Sequence, residues 1–72
     1  MNVIILKTDI ATEQRLQAIR PVFDIHIGIK TWSVDIEDID NVLRIEAKSK
    51  LNQNEVIQLV QNCGFACEDL HD

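Results

Sequence analysis

The chain has few of the residues that interrupt secondary structure or cross-link small secreted domains. Its 72 residues include one proline, two glycines, two cysteines, one tryptophan, two phenylalanines and no tyrosine. Two cysteines are too few for a disulfide-stapled scaffold, and no apolar run approaches the roughly 20 residues of a membrane span. The N-terminal residues also lack the basic segment of a signal peptide. We therefore expect a cytoplasmic protein.

Positive charge is scarce as well. Twelve acidic residues stand against seven lysines and arginines, which gives a net charge of −5 at pH 7. A nucleic-acid binder needs a basic face, and this chain has no cluster of lysine or arginine to build one. An anionic membrane surface is disfavoured for the same reason. The charge instead favours a protein partner with a basic surface.

The length limits what the chain can contain. Residues 1–72 form one domain with a thin core, because a domain of this size buries only about 60% of its unfolded surface. Hydrophobic residues make up 46% and charged residues 26%, a balance typical of globular proteins. No Ser-His-Asp set, paired-carboxylate cleft or glycine-rich phosphate loop is evident, so we expect no enzyme.

Periodicity predicts the first half of the secondary structure. Residues 2–7 form an apolar, β-branched run that is typical of a central strand. Thr12 is predicted to cap a helix, and Pro21 predicts a kink or a stop near Arg20. Clean alternation then predicts a hairpin of strands 29–37 and 42–48, joined by a turn at 38–41.

The second half reads as a capped helix and a strand. Asn52 followed by Glu55 is the signature of an N-cap with its capping-box partner. Gly64 lies just past the last apolar residue of this helix, the position that favours a left-handed backbone. Residues 65–70 are predicted to form the last strand.

The order of elements predicts an α+β fold, a ferredoxin-like βαββαβ sandwich. Right-handed crossovers lead to a four-stranded antiparallel sheet in the order 4-1-3-2, with two helices on one face. The core is predicted from residues that share a periodic face: Leu16, Ile19, Trp32, Val34, Leu43, Ile45, Val56 and Val60.

This pattern resembles the heavy-metal-associated domain of small copper chaperones and metal-pumping ATPases. The residues that carry the resemblance are Gly28-Ile29, the stretch 33–37 and Cys63-Gly64-Phe65. The resemblance implies a Cu(I) site on two cysteines spaced C-x-x-C after the first strand, where a helix N-terminus stabilises the thiolates. The corresponding residues here are Asp9 and Thr12, which offer oxygen where a soft ion selects sulfur. The metal loop of the copper-chaperone-like superfamily is therefore missing.

The favoured function is a non-enzymatic accessory or protein-interaction module. Its expected contact surface is either the open face of the sheet or the loops at one end of it. The topology places the first loop, the hairpin tip and the last helix–strand turn at one end, which is rich in acids. We call this surface the acidic loop end; it comprises Asp9, Thr12, Glu37, Asp38, Asp40 and Phe65. A solvated rim is the simpler interpretation of such acids, and packing is the simpler interpretation of the phenylalanine.

Two other functions stay open. Cys63 and Cys67 fall beside the first loop in this topology, so they are candidate ligands for a soft metal, copper or zinc, although buried cysteines often serve only as small hydrophobes. The second is a ligand-binding regulatory domain resembling the ACT family, which normally pairs, so a homodimer also stays open. His26 and His71 are isolated and predict no ligand set.

Overall fold

The computed structural model describes residues 2–48 and 51–70. Its elements are β1 (Asn2–Thr8), α1 (Glu13–Asp24), β2 (Ile29–Val34), β3 (Leu43–Ala47), α2 (Gln53–Asn62) and β4 (Cys67–Asp69). The strands form one antiparallel sheet in the order β2-β3-β1-β4. This is the predicted order counted from the other edge, so the ferredoxin-like α+β fold is confirmed. His71 lies outside the described residues.

The first strand is central, as its apolar run predicts. It pairs with β3 on one side and with β4 on the other. Ile4 and Leu6 are buried against the helices, whereas Val3 and Ile5 on the opposite face are 49% and 41% exposed. The sheet therefore has one covered face and one open face.

The first helix begins as predicted and ends later than predicted. Thr12 caps it, because its Oγ1 accepts a hydrogen bond from the backbone N–H of Arg15 at 3.1 Å. The expected stop near Arg20 is wrong, since the helix continues through Pro21 to Asp24. Proline removes one helical hydrogen bond, but Phe23 in the last turn is 1% exposed. The burial of that ring offsets the missing bond.

The second helix has both predicted ends. The side-chain oxygen of Asn52 accepts from the N–H of Glu55 at 2.9 Å, and the Glu55 carboxylate accepts in turn from Asn52 Nδ2 at 3.2 Å. At the other end Gly64 has φ +91°. Its N–H donates to the carbonyl of Gln61 at 2.9 Å, and the next N–H donates to that of Val60 at 3.3 Å. This pair of bonds is a Schellman motif.

The core lies between the helices and the inner face of the sheet. Five of the eight predicted core residues are fully buried, and Leu16, Trp32 and Val34 are half-buried against them. Two loop residues, Ile10 and Leu51, are also buried although no periodicity marked them. The buried set is Ile4, Leu6, Ile10, Ile19, Phe23, Ile29, Leu43, Ile45, Ala47, Leu51, Val56, Val60 and Cys67.

Candidate functional site

Hydrogen bonds join the loops at one end of the sheet. The N–H of Thr8 donates to the carbonyl of Asp40 at 3.1 Å, which ties the end of β1 to the β2–β3 loop. The N–H of Ala66 donates to Oδ1 of Asp9 at 3.0 Å, which ties the α2–β4 turn to the β1–α1 loop. Residues separated by up to 57 positions in the chain thus meet at the acidic loop end.

Thr8 anchors the β1–α1 loop. It is 6% exposed, and its hydroxyl donates to the carbonyl of Asn41 at 2.7 Å while accepting from the N–H of Ile10 at 3.1 Å. The side chain of Ile10 is fully buried, which pins the middle of the loop to the core. The path of the loop is therefore set by one buried hydroxyl and one buried apolar side chain.

The polar side chains at positions 9 and 12 hold this loop from within. Oδ1 of Asp9 accepts from Ala66, and the backbone carbonyl of Asp9 accepts from Nη1 of Arg15 at 2.8 Å. Oγ1 of Thr12 accepts from the N–H of the same arginine. Both side chains are exposed, yet each already has a donor.

The hairpin tip is shaped by its own carboxylates. Oδ1 of Asp35 accepts from the N–H of Glu37 at 3.1 Å, and Oδ1 of Asp38 accepts from the N–H of Asp40 at 2.8 Å. Such Asx turns stabilise a reversal of the chain within a short polar segment. They present Ile39 at the tip with 93% of its surface exposed. An apolar side chain thus projects from a rim of acids.

One lysine lies among the acids. Nζ of Lys7 is 3.7 Å from Oδ1 of Asp40 and 3.9 Å from Oε1 of Glu68. These exposed pairs contribute little to stability, but they neutralise part of the acidic charge. Beside them lies a cavity of about 330 Å³. Its lining residues are Lys7, Thr8, Asp9, Gln61, Ala66, Cys67 and Glu68.

The two cysteines occupy different environments. Both are free thiols; Cys63 is the half-buried C-cap of α2, and Cys67 is 6% exposed at the start of β4. Burial, with a smaller contribution from the charge of Glu68, raises the pKa of the Cys67 thiol to about 11. Metals bind the thiolate, so this environment disfavours the ligating form. Phe65 is half-buried and packs against the core.

The donor atoms of the described residues form no metal-ligand set. Within residues 2–48 and 51–70, no three His, Cys, Asp or Glu side chains are close enough together to hold one. In the same residues, every buried side-chain nitrogen or oxygen has a hydrogen-bond partner. His26 is at the opposite end of the sheet, where its Nδ1 accepts from the N–H of Gly28 at 2.9 Å.

Comparison with known proteins gives no sequence family but a consistent fold. No family model matches the chain, and no curated protein matches it. The solved yeast copper transporter domain Ccc2a, in its apo and Cu(I)-loaded states, matches 100% of this chain and 99% of its own at a TM-score of 0.82 and 16% identity. This is the heavy-metal-associated fold. The CsoZ metallochaperone matches 93% of this chain and 96% of its own, with a TM-score of 0.76 and 18% identity.

A third structure with this fold comes from work on crosstalk between Cu(I) and Zn(II) homeostasis. It has a TM-score of 0.82 and 11% identity, and the match covers 97% of this chain and all of that one. Identities this low establish the heavy-metal-associated fold alone. No helix in the described part of the chain is long and apolar enough to cross a membrane.

Sequence reasoning missed the residues that hold the loops together. Lys7, Thr8 and Gln61 line the cavity or anchor the loops, and none of them was singled out. The available signal was Ile10, an isolated apolar residue in a polar loop. It indicates that the loop is anchored inward, and the neighbouring polar groups must then be paired.

Proposed function

We propose that this chain is a non-enzymatic protein-interaction module built on the heavy-metal-associated fold. Its acidic loop end docks a partner with a basic surface, and it does not carry Cu(I) in the β1–α1 loop. The observation that supports this best is the hydrogen bond from the N–H of Ala66 to the carboxylate of Asp9. Asp9, which we align with the first cysteine of the family motif, thus links the β1–α1 loop to the α2–β4 turn.

Ligand chemistry supports the metal-free loop. Cu(I) selects thiolate or thioether sulfur, and Asp9 and Thr12 offer a carboxylate and a hydroxyl. The hydroxyl of Thr12 also caps α1. The positive end of this helix would stabilise a thiolate at the same position, but here it is capped by a neutral hydroxyl. We therefore expect the geometry of a metal loop without its donors.

Charge and shape support the docking role. Glu37 and Asp38 are exposed around Ile39, and the chain carries a net charge of −5. An apolar centre with a polar rim is a common arrangement at interfaces. A protein partner is also consistent with the solved Atx1–Cu(I)–Ccc2a complex, in which one chain matches this one at a TM-score of 0.83 and 16% identity. A cytoplasmic location remains part of this proposal.

The second candidate is a copper or zinc site on Cys63 and Cys67. Cys67 lines the 330 Å³ cavity together with Lys7 and Asp9, so an ion entering there would meet a sulfur atom. The raised pKa of this thiol opposes the proposal.

One titration separates the two candidates. Reduced protein is titrated anaerobically with Cu(I) and with Zn(II) under a competing chelator, and bound metal is detected by mass. We expect no tight binding by the parent chain or by Cys63→Ala/Cys67→Ala, and strong Cu(I) binding by Asp9→Cys/Thr12→Cys. Binding of one ion per parent chain that disappears with the cysteines would establish the second candidate and refute the metal-free module.

Docking is tested with a capped lysine-rich peptide followed by amide NMR shifts. We expect shifts at residues 37–40 that decrease with salt and weaken in Glu37→Lys. Glu46→Lys changes the net charge equally on the open sheet face, so it serves as the control. Equal weakening by both variants would mean that only net charge attracts the peptide, which contradicts a specific acidic surface.

A further inference from the structure

A second cavity lies between α1 and β2, away from the acidic loop end. Its volume is about 450 Å³. The helix contributes Leu16, Arg20 and Asp24, which are four residues apart and therefore share one face. The strand contributes residues 30–34 consecutively. Because every residue of this stretch lines the cavity, it is a groove that runs along β2.

The strand beside this groove is an edge. Among the described strands, β2 pairs only with β3. The backbone N–H of Asp35 donates to the carbonyl of Val42 at 2.9 Å, so the backbone hydrogen-bonding groups of Asp35 point toward β3. In an antiparallel ladder the backbone groups of successive residues point alternately to one side and the other. Those of Ser33, two residues before Asp35, therefore also point toward β3. The backbone N–H and C=O groups of Trp32 and Val34 consequently turn toward the open edge, where they can template another strand.

The groove is locally basic although the chain is acidic. Nε1 of Trp32 donates to Oδ1 of Asp24 at 2.9 Å, so the one carboxylate in the groove already has a partner. Arg20 lies over the indole ring, with Cζ 5.7 Å from the ring centroid, and Lys30 is exposed at the start of the strand. The indole N–H is neutral and leaves the charge of Asp24 in place, so the two cations and one carboxylate that line the groove carry a net charge of +1.

We propose that this groove binds an extended acidic segment of a partner protein as an added strand on β2. The backbone of the segment pairs with Trp32 and Val34, and its carboxylates face Arg20 and Lys30. Strand addition of this kind takes its affinity from main-chain hydrogen bonds and its specificity from alternate side chains. This surface differs from the acidic loop end in position and in charge, so the inference does not depend on the function proposed above.

Charge selects this occupant over a second copy of the chain. A second copy paired through β2 would bring its own Arg20 and Lys30 to the same edge, and these like charges oppose that contact. The register shift between Ile29 and Thr31 also bulges the strand at Lys30. A bulge with a lysine at an edge is a known protection against edge-to-edge pairing, whereas an acidic segment meets the same lysine favourably.

The single tryptophan makes the test direct. Trp32 is the only tryptophan of the chain, so its emission reports on the groove without a label. The probe is a capped seven-residue peptide of alternating Glu and Val. We expect a saturable change in emission and amide shifts at residues 32 and 34. The same peptide with alternate amides N-methylated, and the version with Lys in place of Glu, should bind at least about tenfold more weakly.

Variants separate the backbone contribution from the charge. Arg20→Glu should weaken binding about two- to fivefold, whereas Arg44→Glu, the same charge change on the open sheet face, should not. Val34→Pro removes an outward N–H and leaves the ladder bonds of the neighbouring residues in place, so it should abolish binding. Circular dichroism checks that each variant is folded, and Arg20→Glu decides the question if Val34→Pro is not.

Three results would overturn the proposal. The first is equal binding of the N-methylated peptide, because strand pairing would then not contribute. The second is equal weakening by Arg20→Glu and Arg44→Glu. The third is a sedimentation profile in which the parent chain is a dimer that Val34→Pro dissociates, since a second copy would then occupy the edge. None of these results bears on metal binding or on residues 37–40.

Discussion

Replacing Gly64 tests the end of the second helix with one atom. The residue has φ +91°, and its N–H closes the Schellman motif at the carbonyl of Gln61. A Cβ atom built on Gly64 has no atom within 4 Å other than those of its own residue and of its two neighbours in the chain. The space around it is therefore empty, and any cost of Gly64→Ala comes from the backbone alone.

The expected loss of stability is therefore the conformational cost of positive φ alone. An L-residue in the left-handed region costs about 1–2 kcal/mol relative to the right-handed one, and no steric or cavity contribution has to be added. We expect Gly64→Ala to lower the free energy of unfolding by about 1–2 kcal/mol. For a domain of this size each kcal/mol corresponds to about 4–8 °C in Tm. D-alanine at the same position prefers positive φ and restricts the unfolded chain, so it should stabilise by about 0.4–1 kcal/mol.

The assay is urea unfolding at 25 °C followed by the fluorescence of Trp32. The chain is short enough for chemical synthesis, so the L- and D-alanine proteins can be compared directly with the parent. Opposite signs for the two enantiomers would confirm that conformation is the cause. A neutral L-alanine variant, or equal destabilisation by both, would refute the reasoning, because the position would then not require positive φ.

Two further changes probe the interior and the first helix. The pKa of the Cys67 thiol is raised to about 11 from 9.0, so the protonated thiol favours folding below about pH 9, and this contribution disappears as the pH rises toward 11. Urea midpoints should therefore fall between pH 9 and 11 more steeply for the parent than for Cys67→Ala. Parallel slopes for the two proteins would contradict the raised pKa. Pro21→Ala restores a helical N–H at an exposed position, so Tm should rise by the equivalent of about 1–3 kcal/mol; a lower Tm would mean that the proline shapes the last turn.

The local signals in the sequence were accurate where short-range chemistry decides. Asn52 with Glu55 and Thr12 with Arg15 are contacts within one helical turn, and a side-chain cap needs nothing else. Pro21 shows where such reasoning stops. Its missing hydrogen bond is local, but the burial of Phe23 that offsets it depends on Trp32 in the next strand, whose ring lies 5.2 Å away.

The candidate site was less accessible to prediction than the fold. The acids of the hairpin tip could be read from composition, but their Asx turns and the projection of Ile39 could not. The sequence does not predict the groove beside β2, because alternation marks Trp32 only as a residue of the inner face of the sheet. That it is half-buried, with its indole N–H on Asp24, depends on how α1 lies over the sheet.

The sequence by itself determined the order of strands and helices, the helix caps, the left-handed glycine and, through that order, the topology of the sheet, whereas three strands are shorter than predicted. Each of these follows from periodicity or from contacts a few residues apart, and the net charge of −5 is a simple count. Only the tertiary structure decided that the carboxylate of Asp9 holds the N–H of Ala66 and that the hydroxyl of Thr8 holds the carbonyl of Asn41. It also decided that Cys67 is buried and that burial raises the pKa of its thiol to about 11. The physical reason is that a polar group hydrogen-bonds to the donors and acceptors that packing brings within about 3 Å of it. Those partners come from distant segments of the chain, so no local sequence pattern predicts them.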